Sequence, residues 1–167
     1  MPYNYTSTLW PTDGDCFYRS RDVNPLRQSG PHCVSTVLAM LTAQTAEIFQ
    51  ERINTQDPAS WSLALSAFGL KLAYCPTDVR KLQFYLPELI RLDDLFTLSY
   101  YSPIDDSILN DPDKNGWVCG SHIVILHRSQ ILDPASGWTV NANDHHCRNH
   151  FTKRVFRVVP SDFPRGL

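Results

Sequence analysis

Residues 121–134 read SHIVILHRSQILDP and decide the class of fold. Two short runs rich in β-branched and aliphatic residues flank the polar pair at 128–129, a pattern typical of antiparallel strands joined by a tight turn. Because side chains alternate along a strand, we expect His122 to point to one face and Ile123 to the other. The hairpin also brings Asp133, eleven residues after His122, to the same end of the sheet. The sequence therefore predicts that His122 and Asp133 are neighbours.

The rest of the back half of the chain has the same strand-like composition as this hairpin. Residues 95–102 and 151–160 are short, rich in β-branched and aromatic side chains and bounded by turn residues, so we expect them to be strands. The front half has the three- and four-residue apolar spacing of amphipathic helices instead. This order predicts an α+β fold in which N-terminal helices pack on a C-terminal antiparallel β-sheet.

Three helices are expected in the front half. The first follows the Gly30-Pro31 pair and extends from Cys33 to about Arg52, with its polar side chains facing water. The second occupies Asp57–Gly69, with an aspartate as N-cap and a glycine at its end. The third follows Thr77 and is expected to break near Pro87.

The composition indicates a single domain spanning residues 1–167. Hydrophobic residues make up 43% of the chain and charged residues 19%, so it can bury a core without metal or disulfide support. The formal net charge of −2 gives no electrostatic basis for binding nucleic acid or an anionic membrane. No run approaches the roughly 18 apolar residues of a membrane-spanning helix.

The number and spacing of the cysteines indicate the cellular compartment of the protein. The five cysteines are an odd number, widely spaced and without a CxxC pair, so we expect reduced thiols rather than disulfides or a zinc site. The N-terminus lacks the basic start and apolar run of a cleavable signal peptide. We therefore expect a cytoplasmic protein, or one exported without a cleavable signal peptide, that uses no metal or cofactor.

Cys33 occupies a position that activates a thiol. A cysteine reacts as its thiolate, and a helix N-terminus or a nearby imidazolium lowers the thiol pKa from about 8.5. Cys33 lies in the first turn of the longest predicted helix, where unpaired N–H groups favour negative charge. His122 is the candidate base, and Asp133 the group that orients it. Each residue alone also has a structural explanation, as a buried thiol, a packed strand histidine or a turn former.

Two stretches resemble a known superfamily. QSGPHCVSTVLAML at 28–41 is similar to the nucleophile helix of papain-like cysteine peptidases, and SHIVILHRSQILDPASGW at 121–138 is similar to their base strand and the strand that follows. The similarity is to the compact bacterial type found in bacteriocin-processing peptidase domains and secreted effector proteases. It implies a papain-like fold with Cys33 as nucleophile, His122 as base and Asp133 as the orienting residue.

The resemblance also implies an oxyanion donor. In the family, a glutamine ahead of the cysteine joins the cysteine's backbone N–H in stabilising the oxyanion. Gln28 is the candidate, although it stands five positions before Cys33, where the family usually has six. A surface glutamine is the alternative. Trp138 is expected either to shield the His122–Asp133 pair from water or to belong to the core.

The implied reaction is acyl transfer through a thioester. A cysteine protease or amidase of this kind cleaves a peptide or isopeptide bond in a protein or peptide substrate. The same triad also supports glutamine deamidation or transglutamination, and the sequence does not separate these reactions. A catalytically inert binding module on the same fold is a further alternative.

A second cysteine motif lies near the N-terminus. Residues 13–16, DGDC, resemble the nucleophile motif of ovarian-tumour-type deubiquitinases, with Cys16 as the nucleophile. In that family the cysteine begins a helix. No helical pattern follows Cys16 here, which weighs against this family and leaves a surface turn as the simpler explanation.

The remaining cysteines are expected to have structural roles. Cys147 lies in a DHHC run, where it could join His146 and His150 in binding zinc, but no second ligand pair has finger-like spacing, so a polar loop is favoured. Cys75 and Cys119 lie in apolar stretches and are expected to be packing residues of strands.

Overall fold

The computed structural model describes residues 8–12, 14–102 and 120–167. These residues form an α+β fold with a six-stranded sheet. The α-helices are α1 (Cys33–Thr42), α2 (Glu47–Gln50), α3 (Pro58–Ser66) and α4 (Leu86–Leu92). The strands are β1 (Leu70–Cys75), β2 (Leu95–Tyr101), β3 (Ser121–His127), β4 (Gln130–Asp133), β5 (Trp138–Asn141) and β6 (Thr152–Pro160). None of the described helices has the length and apolar character needed to cross a membrane.

The sheet is antiparallel at every described pairing. Its strand order is β1-β6-β2-β3-β4-β5, so the last strand in sequence lies between the first two. The predicted hairpin is confirmed: β3 pairs with β4 from Ile125↔Leu132 to His127↔Gln130, and the turn occupies 128–129. The predicted strands at 95–102 and 151–160 are confirmed as β2 and β6.

Alternation along the strands divides the core into two clusters, one on each face of the sheet. Ile123 and Ile125 of β3 pack with α1, α2 and α3 in one cluster, which also contains Cys33. Val124 and Leu126 belong to the other cluster, formed with α4 and the N-terminal segment. The predicted alternation along β3 is therefore confirmed, and the sheet is covered on both faces.

The first helix is shorter and more buried than predicted. α1 ends at Thr42 because Ala43 adopts a left-handed conformation with φ 56°, and its N–H binds the carbonyl of Ala39, which closes the helix. All ten residues of α1 are buried, Thr42 included, whereas Gln44, Glu47 and Glu51, the other polar residues predicted to face water or partners, lie beyond its end and are exposed. The Thr42 hydroxyl donates to the Leu38 carbonyl at 2.8 Å, which satisfies it without water.

The second predicted helix is confirmed, whereas the third begins later than predicted. The Asp57 carboxylate caps α3 by accepting the Ala59 N–H at 3.1 Å. Pro87 lies in the first turn of α4 rather than at a break, because a proline costs no hydrogen bond there. Cys75 was correctly predicted to be a strand residue and is the last residue of β1, but the start of β1 and the whole of β5 were not predicted. Since β1 pairs with β6, the sheet is not confined to the back half of the chain.

A buried ion pair fastens the N-terminal segment to the sheet. Arg157 of β6 donates to the Asp94 carboxylate at 2.7 Å, and both residues are fully buried. Asp94 also accepts the backbone N–H groups of Phe17 and Tyr18 at 2.9 and 2.7 Å. Arg157 completes the connection by donating to the carbonyl of Asp15 at 2.8 Å.

Candidate active site

His122 and Asp133 form a direct hydrogen bond at one end of the sheet. The distance between His122 Nε2 and Asp133 Oδ1 is 2.7 Å, and both side chains are buried. An ionised carboxylate only accepts hydrogen bonds, so Nε2 carries the ring proton and Nδ1 keeps a lone pair. Nδ1 is buried and has no hydrogen-bond partner in the part of the chain that the structure describes. The contact that the hairpin predicts therefore leaves the basic nitrogen available.

A second histidine, which sequence reasoning did not single out, binds the same carboxylate. His145 Nε2 lies 2.7 Å from Asp133 Oδ2, and the Ala135 N–H donates to Oδ1 at 2.9 Å. Burial by itself would raise the pKa of Asp133, but the hydrogen bonds from His122 and His145 outweigh it and hold that pKa well below its usual range. Asp133 is therefore a carboxylate throughout the neutral pH range.

The tautomer of His145 is fixed by its other nitrogen. Its Nδ1 accepts the backbone N–H of Cys147 at 3.0 Å, as the cap of a short 3-10 helix at His146–Asn149. A nitrogen that accepts a hydrogen bond carries no proton in the neutral ring, so the proton is on Nε2. His145 is consequently a hydrogen-bond donor to Asp133.

Further aromatic and imidazole rings surround the pair. The Tyr100 ring meets the His122 ring edge to face at 5.7 Å between centroids, and the His146 ring stacks on His145 at 4.3 Å. The His150 ring lies 5.0 Å from Tyr100. Burial, and then the neighbouring His145, lower the pKa of His146. Four of the six histidines of the chain thus gather around one carboxylate.

Three residues of the cluster could hold a metal ion, but the tautomer of His145 disfavours metal binding. Ligand atoms of Asp133, His145 and His146 all lie within 4.8 Å of one another. A histidine that binds a metal through Nε2 normally carries a proton on Nδ1 and donates it to a neighbour. His145 Nδ1 instead accepts a hydrogen bond from the Cys147 N–H. The hydrogen-bond pattern therefore fits a proton-bearing donor rather than a metal ligand.

The structure places Cys33 at the start of α1, as predicted, but does not bond it to His122. Cys33 is the first residue of the helix and is buried. It packs in the cluster that contains Ile123, whereas the His122 side chain points to the opposite face, where it contacts Tyr100. His122 Nε2 binds Asp133 and its Nδ1 has no partner among the described residues. No hydrogen bond between the Cys33 thiol and the His122 ring is described, and the pairing of these two residues stays a prediction.

The segment that leads into α1 nevertheless reaches the same end of the sheet. The backbone N–H of Gln28 donates to the carbonyl of Pro134 at 2.7 Å, directly after Asp133. The Gln28 side-chain amide donates to the Gly30 carbonyl at 2.8 Å, within its own loop. If Gln28 is the oxyanion donor, as predicted, it would therefore use the second proton of its side-chain NH₂ group.

No family model, curated protein or solved structure matches this chain. Its function must be inferred from its own residues.

Of the other candidate residues, Cys16 lies away from this pair, whereas Trp138 lies opposite Asp133 in the β4–β5 register. Cys16 is exposed and starts no helix, as predicted, and the carbonyl of Tyr18 lies 3.2 Å from the ring of His127. His127 lies five residue steps along β3 from His122, which corresponds to about 17 Å. Trp138 is 70% exposed, so it does not belong to the core.

The remaining cysteines fit packing roles where they are described. Cys75 and Cys147 are buried, and burial raises the pKa of each thiol to about 12. Both remain protonated at neutral pH and are poor nucleophiles or metal ligands. Cys119 and Asp13 lie outside the described residues.

Proposed function

We propose that the protein is a papain-like cysteine peptidase or amidase in which Cys33 is the nucleophile and His122 the base. The observation that supports this most is the buried Nδ1 of His122. Asp133 occupies the other ring nitrogen, while Nδ1 is buried without a described partner. A buried polar atom without a partner costs about 1–3 kcal/mol, and a catalytic role, in which a reacting group supplies the partner, is one explanation for such an atom.

The proposed mechanism uses both nitrogens of His122. Nδ1 takes the proton of the Cys33 thiol, and Asp133 stabilises the imidazolium that forms. The thiolate adds to the carbonyl carbon of an amide, and the imidazolium then gives its proton to the leaving amine as the C–N bond breaks. Water, deprotonated by Nδ1, hydrolyses the thioester and restores the thiol.

The ends of the secondary-structure elements support an approach of Cys33 to His122. β4 pairs with β3 only over residues 125–127. Residues 121–124 of β3 therefore have no β4 residue opposite them on that side. His122 lies in this stretch, and the chain leading into α1 is bound to Pro134 beside it. Cys33 Sγ is expected to reach Nδ1 transiently around this edge in the free protein and more closely when substrate binds, since catalytic contacts are often loose in the absence of substrate.

Alkylation of individual thiols tests the proposal. Wild-type protein is treated with iodoacetamide at pH 6.5, and modification of each cysteine is followed by mass spectrometry. Cys75 and Cys147 serve as buried reference thiols because their pKa is about 12. We expect Cys33 to react at least about tenfold faster than either, because an imidazolium partner increases its thiolate fraction.

A pair of variants on one strand supplies the control. His122→Ala should lower the Cys33 rate at least about tenfold, whereas His127→Ala, at the other end of β3, should leave it unchanged. Equal rates for Cys33 and the two reference thiols, or a Cys33 rate indifferent to His122→Ala, would overturn the proposal. Loss of hydrolysis of a peptide or ubiquitin-like substrate in Cys16→Ala but not Cys33→Ala would favour the deubiquitinase alternative.

A further inference from the structure

We propose that His145 is a positioning residue that holds the Asp133 carboxylate so that its other oxygen faces His122. The catalytic consequence of this role rests on the proposed function, whereas the hydrogen-bond arrangement itself does not. The three side chains form the chain His145–Asp133–His122, with 2.7 Å at each contact.

Each carboxylate oxygen has its own histidine. Oδ1 accepts from His122 Nε2 and from the Ala135 N–H, while the described partner of Oδ2 is His145 Nε2. A carboxylate held at both oxygens cannot rotate about its terminal bond without breaking a buried hydrogen bond. The orientation of Oδ1 toward His122 therefore depends on the bond that His145 makes to Oδ2.

The role of His145 differs from that of His122 because its second nitrogen is occupied. The Cys147 N–H donates to His145 Nδ1, so protonating that nitrogen would break a buried hydrogen bond. His122 Nδ1 has no such described partner. His145 is thus built as a permanent donor, and His122 as the ring that can accept a proton.

The three side chains are almost completely buried, which strengthens the hydrogen bonds between them. The exposed fractions of the His122, Asp133 and His145 side chains are 0%, 4% and 5%. Water is therefore not at hand to replace a lost donor to Oδ2, and hydrogen bonds in such surroundings are stronger than in water. Removing the His145 donor leaves Asp133 free to turn away from His122 or to take up a proton.

Two substitutions separate the hydrogen bond that His145 donates to Asp133 from the one that it accepts from the Cys147 N–H. His145→Asn keeps an oxygen that can accept the Cys147 N–H, because asparagine is a favoured cap residue, but its side chain is too short to reach Asp133. His145→Gln places an amide N–H₂ near the position of Nε2 and restores the donor to Asp133. His127→Gln, at the other end of β3 and outside this cluster, is the matched control.

Two measurements are made on each variant. The first is the ring N–H resonance of His122 in ¹⁵N-histidine-labelled protein, assigned by its loss in His122→Gln; a bond to a carboxylate shifts this proton downfield. The second is the alkylation rate of Cys33. We expect His145→Asn to abolish the downfield resonance and to lower the alkylation rate at least about tenfold, part of the ~10²–10⁴ that a positioned base contributes. His145→Gln and the control should resemble wild type in both.

The outcomes distinguish this inference from the proposed function. A downfield His122 resonance that persists in His145→Asn would overturn the positioning role. A resonance lost in His145→Asn and not recovered in His145→Gln would also overturn it, because folding rather than the donor would then explain the loss. The His122 resonance could also behave as expected while the alkylation rate of Cys33 is unchanged in both His145→Asn and His122→Ala. That result would overturn the catalytic assignment and leave His145 as a structural partner of Asp133.

Discussion

Asp133 accepts hydrogen bonds from two imidazole rings and one backbone N–H in a site almost closed to water. Its negative charge is stabilised by those donors, which is why its pKa lies below the usual range despite burial. Replacing the carboxylate by an amide changes one acceptor oxygen into a donor. One of the two histidines would then face an N–H group instead of a lone pair.

We expect Asp133→Asn to lower the free energy of unfolding at pH 7 by about 1–3 kcal/mol, the cost of leaving one buried donor unpaired. Urea denaturation followed by circular dichroism measures the change. Asp144→Asn is the matched control, because this exposed acid lies in the loop next to His145; its effect should stay within about 0.5 kcal/mol. Equal effects from both substitutions would contradict the arrangement described.

The sign of the pH dependence follows from the lowered pKa of Asp133. An aspartate with a depressed pKa in the folded state contributes stability that is present above its unfolded pKa of about 3.9 and is lost as the pH falls toward the folded value. The difference between wild type and Asp133→Asn should therefore be constant from pH 7 to about pH 5 and shrink below about pH 4.

The sequence predicts part of this site for physical reasons. His122 and Asp133 are placed by local rules, because a two-residue turn and side-chain alternation fix their positions on adjacent strands. His145 lies beyond β5 in a stretch without periodicity, and its contact with Asp133 depends on how that loop packs. The DHHC run at 144–147 was the available signal, but it suggested only a zinc site of His146, Cys147 and His150.

α1 ends at a residue that is poorly suited to its backbone conformation. Ala43 is left-handed, with φ 56° and ψ 38°, and a Cβ atom disfavours that region by roughly 1–2 kcal/mol. Glycine carries no such penalty and is the preferred residue at this position of a helix end. The exposed side chain of Ala43 contributes no core packing that its removal would cost.

We therefore expect Ala43→Gly to raise the free energy of unfolding by about 0.5–1 kcal/mol. Thermal and urea unfolding of the purified variant provide the measurement. The same change inside α3, Ala64→Gly, should lower stability by about 1 kcal/mol, because glycine is unfavourable in a helix interior. A loss of stability in both variants would contradict the left-handed helix end.

Elements were predictable where one strong local signal decided them. Asp57 and Pro58 mark the start of α3 by capping chemistry that needs no tertiary contact. The start of β1 and the whole of β5 were missed because these strands depend on a neighbouring strand for their hydrogen bonds. The end of α1 at Thr42 was missed because alanine gives no sign of a left-handed turn.

The N-terminal segment and the sheet are joined through Asp94 and Arg157, which are 63 residues apart in the chain. Nothing local in the sequence pairs them. Asp94 collects the N–H groups of Phe17 and Tyr18 as well as the guanidinium, so one buried carboxylate connects three separate parts of the molecule.

We expect Asp94→Asn to lower the free energy of unfolding by about 3 kcal/mol, because it leaves Arg157 as an uncompensated buried charge. Urea denaturation measures this, and limited proteolysis should cut residues 15–19 faster. Asp93→Asn is the matched control: Asp93 forms partly exposed pairs with Arg19 and Arg128, worth no more than about 1 kcal/mol. Similar losses in the two variants would show that the buried pair has no special role.

The position of β6 in the sheet also constrains the order of folding. β6 is the last strand of the chain, yet it lies between β1 and β2, and β1 stands at the edge with β6 as its neighbour. During synthesis, β1 is exposed long before its partner emerges from the ribosome. The sheet can therefore close only after β6 has been synthesised, and contacts of such long sequence separation are expected to make folding slow.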